Sequence, residues 1–255
     1  MSEGTALEWR EDIAVLRLER APVNALNIEY CDIVRRELDA LAAEDRTRAV
    51  VITGRGDCFS AGADLKMVPH YNADEQRTLL RALNGLFLAA YRLPVPVVAA
   101  VNGHAIAGGM VLALAADYRV AVDRGALFGV TEIRVGISYP TTAIEILKAE
   151  LRPEECRKAV LTGDLCGPND ALTRGMVDEL RPAGGVLPRA VEMAAHLAES
   201  PRDTYAAVKR QFRAPALMRM AAALDGAEPL AQPWIGPETQ RKSAARLEEM
   251  SRRGG

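Results

Sequence analysis

Pro96-Val-Val-Ala-Ala-Val-Asn-Gly-His-Ala-Ile-Ala-Gly-Gly-Met-Val-Leu-Ala-Leu114 is the stretch from which the rest of the chain can be read. Val97 to Val101 is a short apolar run, rich in β-branched residues, behind Pro94 and Pro96. That pattern predicts a buried strand. Asn102-Gly103 breaks it, and Gly108-Gly109 then precede an apolar helical run, Met110 to Ala116. A strand, a glycine turn and a helix N-terminus together aim free backbone N–H groups at one point. Such a point stabilises an oxygen that gains negative charge. The same glycines would equally serve to let a helix pack close to a strand.

Working upstream, Ala49 to Thr53 (AVVIT) predicts a buried, parallel strand. It is followed by Gly54-Arg-Gly-Asp-Cys-Phe-Ser-Ala-Gly-Ala-Asp-Leu-Lys66, a second glycine-rich turn. Parallel neighbours would bring both turns to one edge of the sheet, where open α/β sheets bind ligands. One N–H from each turn could then grip one oxygen. Neither turn contains GxxxxGK[ST] or GxGxxG, which disfavours nucleotide binding by those routes. Asp64 has a plainer role open to it, as cap of a helix starting at Leu65. Working downstream, Glu132 sits amid Phe128, Val130, Ile133, Val135 and Ile137. A buried carboxylate there would have a raised pKa and act as a general base near neutral pH. An exposed Glu132 paired with Arg134 is the other reading.

The flanks fit an α/β chain. Ala6 to Arg10 and Ile13 to Glu19 alternate as a hairpin would. Asn27 is a candidate N-cap for a helix over 28–43, and a long helix is expected over 74–93. Short extended pieces follow at 118–122 and 126–129, then helices at 141–150, 153–162 and 168–174, and a strand at 176–180. From Val186 onward the pattern predicts only helices, over 186–199, 201–212, 216–225 and 238–252. Two regions are expected: an α/β core over 1–185 and a helical region over 186–255.

The 255 residues carry a net charge of −2 and only 5% aromatics, so neither a basic field nor a stacking platform suggests nucleic acid. No apolar run approaches the roughly 18–20 residues that span a bilayer. Met1 to Glu11 does not resemble a signal peptide, and Cys31, Cys58, Cys156 and Cys166 show no metal spacing. A cytoplasmic location, without membrane contact, is the expectation.

Taken in order, Ala21-Pro-Val-Asn-Ala-Leu26, Phe59-Ser-Ala-Gly-Ala-Asp-Leu65, Val101-Asn-Gly-His-Ala-Ile-Ala-Gly-Gly109, Asp117-Tyr-Arg119 and Leu161-Thr-Gly163 resemble the crotonase (enoyl-CoA hydratase/isomerase) superfamily. The resemblance covers nearly the whole chain. It implies a spiral of ββα units, a C-terminal helical trimerisation arm and an acyl thioester of coenzyme A as substrate. It implies a homotrimer or dimer of trimers, and no cofactor, because coenzyme A is part of the substrate. By the same resemblance, Glu132 matches a catalytic glutamate and the N–H groups of Ala61 and Gly108 match an oxyanion hole. Ala61, Gly62, Ala63, Asp64, Leu65, Gly108, Val111 and Thr131 are the expected substrate-binding residues.

The branch is read from departures. Hydratases of the family carry a first carboxylate at the position of Val111. Asp117, six residues on, points about 240° away around a helix. Hydratases also carry a glycine-rich segment where this chain has Pro140-Thr-Thr-Ala-Ile144. Both features resemble the Δ3,Δ2-enoyl-CoA isomerases, in which one base lifts a proton from C2 and returns it at C4. A hydratase or other lyase, and a non-catalytic acyl-CoA-binding protein, remain alternatives at this point.

Overall fold

The computed structural model describes residues 4–222 and 234–253, with side chains described as far as 245. Six strands form the main sheet in the order β1-β2-β3-β5-β7-β9. β1 (Thr5–Arg10) and β2 (Ile13–Leu18) make the expected antiparallel hairpin. β3 (Ala49–Gly54), β5 (Val97–Val101), β7 (Tyr118–Val122) and β9 (Glu179–Arg181) then add in parallel. Every residue of β3 and β5 is buried, which is why both read as unbroken apolar runs and not as alternation.

A second sheet was not visible in the sequence. β4 (Cys58–Ser60), β6 (His104–Ile106) and β8 (Phe128–Gly129) pair in parallel in the order β4-β6-β8. Strands of two or three residues carry no period to detect, and β4 and β6 lie inside what looked like glycine turns. Each follows a strand of the main sheet and precedes a helix. β3-β4 leads to α2 (Ala73–Arg92), β5-β6 to α3 (Gly108–Leu114) and β7-β8 to α4 (Thr141–Glu150). This repeated ββα step is the expected spiral.

α1 (Ile28–Ala43) is capped by Asn27, whose side chain accepts from Tyr30 N at 2.8 Å. α1 packs against α2, whose start is fixed by a reciprocal cap between Asn72 and Glu75. α5 (Pro153–Thr162) and α6 (Pro168–Thr173) precede β9. The last strand begins later than the pattern suggested. Met176 and Val177 are buried, yet their N–H groups return to Ala171 O, and pairing starts only at Asp178 N on Arg119 O.

α7 (Ala183–Ala198) lies across β2, β3, β5, β7 and β9, with Val186, Ala190 and Ala194 inward. The expected division after residue 185 therefore falls within a helix that covers the sheet. α8 (Arg202–Ala222) is one helix where two were expected. Pro215 removes one hydrogen bond, but Ala216 and Met220 beyond it are buried and hold the helix on course. Residues 223–225 of that expectation lie outside the described residues. α9 (Pro237–Arg253) closes the chain.

Candidate active site

The turn after β4 is stitched to the loop between β2 and α1. Asn24 Nδ2 donates to the carbonyls of Cys58 and Phe59 at 3.0 and 3.1 Å, and Ser60 Oγ donates to Asn24 O at 2.8 Å. Ala61 N donates to Val23 O at 3.0 Å, Leu26 N to Gly62 O at 2.7 Å and Asp64 N to Leu26 O at 2.9 Å. Ala61 therefore cannot be the expected oxyanion donor, since its N–H is already held inside the fold. Gly62 N turns back on Ser60 Oγ at 3.2 Å. Ala63 is paired with Leu26 as a parallel bridge, which directs its own N–H to the opposite side. Among the described residues no acceptor takes it.

The turn after β6 presents the partner group. Ala107, the residue before α3, has φ +52° and ψ −128°, a strained state for a residue with a Cβ. Three bonds hold it there: its N–H reaches Gly129 O at 2.8 Å, and its carbonyl accepts from Met110 N and Val111 N at 2.9 and 3.1 Å. The twist leaves Gly108 N–H, half-buried at the start of α3, without an acceptor among the described residues.

The two turns touch. A Cβ built on Gly62, at φ +77°, would stand 2.8 Å from Gly108 N, from Ile106 O and from Ala107 Cβ. A Cβ on Gly109 would stand 2.1 Å from Ser60 O. Both glycines are therefore required by close approach, and the free N–H groups of Ala63 and Gly108 flank the contact.

Glu132 opens the 3-10 turn Glu132–Val135, three residues beyond β8, whose Gly129 carbonyl anchors Ala107. That pairing brings it to the edge carrying the two glycine turns. It is 8% exposed, and its Oε2 is buried with no hydrogen-bond partner among the described residues. Burial pushes its pKa up to about 7, opposed more weakly by its own N–H and by the Tyr139 hydroxyl. Arg134 is not its partner. That guanidinium pairs with Asp164 in solvent, so the buried reading of Glu132 holds.

The remaining expected residues divide. Val111 is fully buried in α3, behind Gly108. Asp64 is tied down: its carboxylate takes Arg20 NH2 at 2.8 Å and Lys66 N at 3.1 Å, capping a turn and not a helix. Leu65 is half-buried against the core. Thr131 precedes Glu132, half-buried, and makes no side-chain cap. Asp117 is a structural acid, held by Lys209 Nζ at 2.7 Å and Arg213 NH2 at 3.1 Å. The described residues contain no group of three or more His, Cys, Asp or Glu side chains arranged for a metal.

The C-terminal helix folds onto its own chain's site. Thr239 Oγ1 donates to Gly136 O at 2.9 Å and Gln240 Nε2 to Pro69 O at 2.8 Å. Trp234 Nε1 donates to Ser138 O at 2.9 Å. A cavity of about 280 Å³ between α2, α4 and α8, lined by Tyr91, Lys148, Phe212, Arg213 and Arg219, includes none of the expected catalytic or substrate-binding residues.

Comparison with known proteins matches this geometry. The family model "Enoyl-CoA hydratase/isomerase" fits residues 8–251. The probable enoyl-CoA hydratase EchA17 of Mycobacterium avium is 31% identical over 214 residues, 82% of this chain and 83% of that protein. The crystal structure of the probable enoyl-CoA hydratase EchA3 of Mycobacterium tuberculosis superposes with a TM-score of 0.83 at 32% identity, over 88% of this chain and 94% of that one. A second structure of the same mycobacterial protein describes it as an enoyl-CoA isomerase. Human mitochondrial Δ3-Δ2-enoyl-CoA isomerase superposes with a TM-score of 0.92 at 25% identity, over 99% of this chain and 100% of that one. A match along nearly the full length, on a spiral ending in two facing glycine turns and a buried glutamate, makes this chain a member of the enoyl-CoA hydratase/isomerase family, within the crotonase superfamily.

Proposed function

We propose that this chain is an enoyl-CoA isomerase, moving a C3=C4 double bond into conjugation with the thioester. The observation that carries the reading is a buried carboxylate with no cationic partner among the described residues, Glu132, with one oxygen unpartnered at the edge where Ala63 and Gly108 present free N–H groups. In the first step Glu132 takes a proton from C2, and the C–H electron pair moves into the thioester to give a dienolate. The N–H groups of Ala63 and Gly108 hold the resulting oxyanion. Each such donor contributes ~3–4 kcal/mol of transition-state stabilisation. In the second step Glu132 returns the proton at C4, leaving the double bond between C2 and C3. No atom is gained or lost, and coenzyme A is carried by the substrate.

Water addition uses a second acid. α3 carries none, and its Val111 is fully buried. An apolar wall there keeps water from the dienolate. The 99% coverage of this chain by the human isomerase, C-terminal helix included, supports the same branch. Hydration is the second reading, favoured by the description of EchA17 as a hydratase. We also propose self-association through α8, where Val208, Phe212 and Pro215 line one exposed stripe, with Phe212 73% exposed.

The test is turnover of a 3-enoyl-CoA by wild type and Glu132→Gln. Conversion to the 2-enoyl-CoA is expected, with a loss on the order of 10²–10⁴-fold in the variant. Equal rates would remove Glu132 from the mechanism. Tight CoA-ester binding with no turnover by wild type would instead indicate a binding protein.

A further inference from the structure

Arg20 stands just past β2, one residue before the fragment Ala21–Leu26, and belongs to no motif singled out in the sequence. Its guanidinium reaches the turn after β4. Nη1 donates to Ala25 O at 2.7 Å and Nη2 donates to Asp64 Oδ2 at 2.8 Å. Ala25 and Asp64 are the chain neighbours of Leu26 and Ala63, which pair with each other as a parallel bridge. The fork therefore ties the two segments across that bridge, from the residue before Leu26 to the residue after Ala63. Asp64 Oδ1 accepts from Lys66 N at 3.1 Å, so both carboxylate oxygens are engaged inside the protein. The pair is sheltered, with the Arg20 side chain 26% exposed and that of Asp64 12% exposed. A guanidinium–carboxylate bond of this length is charge-assisted and directional.

Two main-chain bonds orient the peptide units on either side of Ala63. Gly62 O accepts from Leu26 N at 2.7 Å, and Asp64 N donates to Leu26 O at 2.9 Å. In a planar trans peptide the N–H points opposite to the carbonyl, so Gly62 O facing Leu26 turns Ala63 N–H the other way. Arg20 adds a charged tie on the very next residue. An oxyanion donor works by being aimed before the charge appears, so each restraint on its direction counts in the transition state.

We propose that Arg20 and Asp64 are positioning residues, which hold the Ala63 N–H on the thioester oxygen without touching the substrate. The inference rests on Ala63 being one of the two oxyanion donors of the proposed reaction. Asp64, expected to bind substrate, has its carboxylate occupied and acts through its neighbour instead.

The test uses a saturated acyl-CoA carrying ¹³C at the thioester carbonyl, which has no double bond to move. Its C=O stretch, read by isotope-edited infrared difference spectroscopy, falls in frequency when the oxygen accepts hydrogen bonds from both donors. Wild type is expected to show that fall. Arg20→Gln and Asp64→Asn are each expected to lose roughly half of it or more. The double variant should be no worse than either single one, because both break the same tie. With a 3-enoyl-CoA, kcat should drop roughly 10–100-fold while KM stays within about threefold. A role confined to stability would lower the thermal midpoint and leave the band of the bound ester in place. Arg20→Lys keeps the charge without the fork, is expected to lose part of the fall, and serves if the neutral variants do not fold. A folded variant that keeps the wild-type band would overturn the inference, as would losses that add in the double variant. An unshifted band on wild type would remove the oxyanion hole and the inference with it. A band that shifts on wild type and recovers in the variants, in a protein inactive on every 3-enoyl-CoA, would uphold the inference while ending the isomerase reading.

Discussion

Glu132 carries a cost that the fold absorbs. Its folded pKa, about 7, lies above the ordinary carboxylate value, so the folded state holds a proton that the unfolded chain releases. Stability from this group is therefore greatest below the unfolded pKa and declines as pH rises from about 4.5 to about 7. Above that range the buried charge costs at most about 3 kcal/mol. Glu132→Gln is accordingly expected to be more stable than wild type at pH 8, with the advantage fading by pH 5. Chemical denaturation at the two pH values measures it. For catalysis the sign is opposite. The base must be charged, so kcat/KM for a 3-enoyl-CoA is expected to fall below a midpoint near 7 and to level off above it. At this scale the sequence was partly legible. Apolar neighbours on both sides of Glu132 suggested burial but left an exposed pairing with Arg134 open, and the fold decides between them. Which N–H of Ser60-Ala-Gly-Ala-Asp64 is free was not announced, because it depends on Leu26, distant in sequence, pairing with Ala63 and leaving Ala61 bonded to Val23.

The elements that matter most are the shortest. β3 and β5 could be read from their β-branched runs, and Asn27 and the helix it caps from local chemistry. β4 and β6 could not, and β8 was read only as a short extended piece with no partner, yet the three set the two turns against each other. Gly62 shows how tightly. A methyl group at its positive φ would press on Gly108 N, Ile106 O and Ala107 Cβ, each 2.8 Å away. Gly62→Ala is expected to cut kcat by about tenfold or more by displacing one oxyanion donor, with thermal unfolding reporting a loss of roughly 1–3 kcal/mol. Activity equal to wild type would show that the turns do not hold the substrate oxygen. α8 depends on different forces. Lys209 and Arg213, both buried, meet Asp117 at 2.7 and 3.1 Å, and Arg213 also stacks over Tyr91 at 3.9 Å. Asp117→Asn removes the counter-ion that buried Lys209 pairs with and leaves Arg213 to Glu150 at 3.5 Å, and a loss of about 3–5 kcal/mol is expected in denaturant unfolding. Asp117-Tyr-Arg119 was read as a family mark; here Asp117 pins α8 to the sheet, while Tyr118 and Arg119 bond to Glu179 and Asp178 beside them.

For the molecule as a whole, composition bounded the class and the ordered fragments gave the family, but the course of the C-terminus needed coordinates. α9 returns over two 3-10 turns of its own chain, reaching Gly136 at the end of Glu132–Val135 through Thr239 and Pro69 in Val68–His70 through Gln240. None of the described helices is long and apolar enough to cross a membrane. α8 keeps Val208 and Phe212 in solvent, 57% and 73% exposed, on the face that also borders the cavity beside Tyr91. Phe212→Glu is expected to reduce the molar mass seen by light scattering at micromolar concentration, whereas a wild-type monomer would refute self-association through that stripe. The central claim is that one carboxylate and two main-chain amides shift a double bond without adding water. Mass analysis of the products formed from a 3-enoyl-CoA and from a 2-enoyl-CoA tests it most directly. Conjugated ester of unchanged mass from the first, with the second left unhydrated, is the predicted result; rapid gain of one water by the 2-enoyl ester would contradict it.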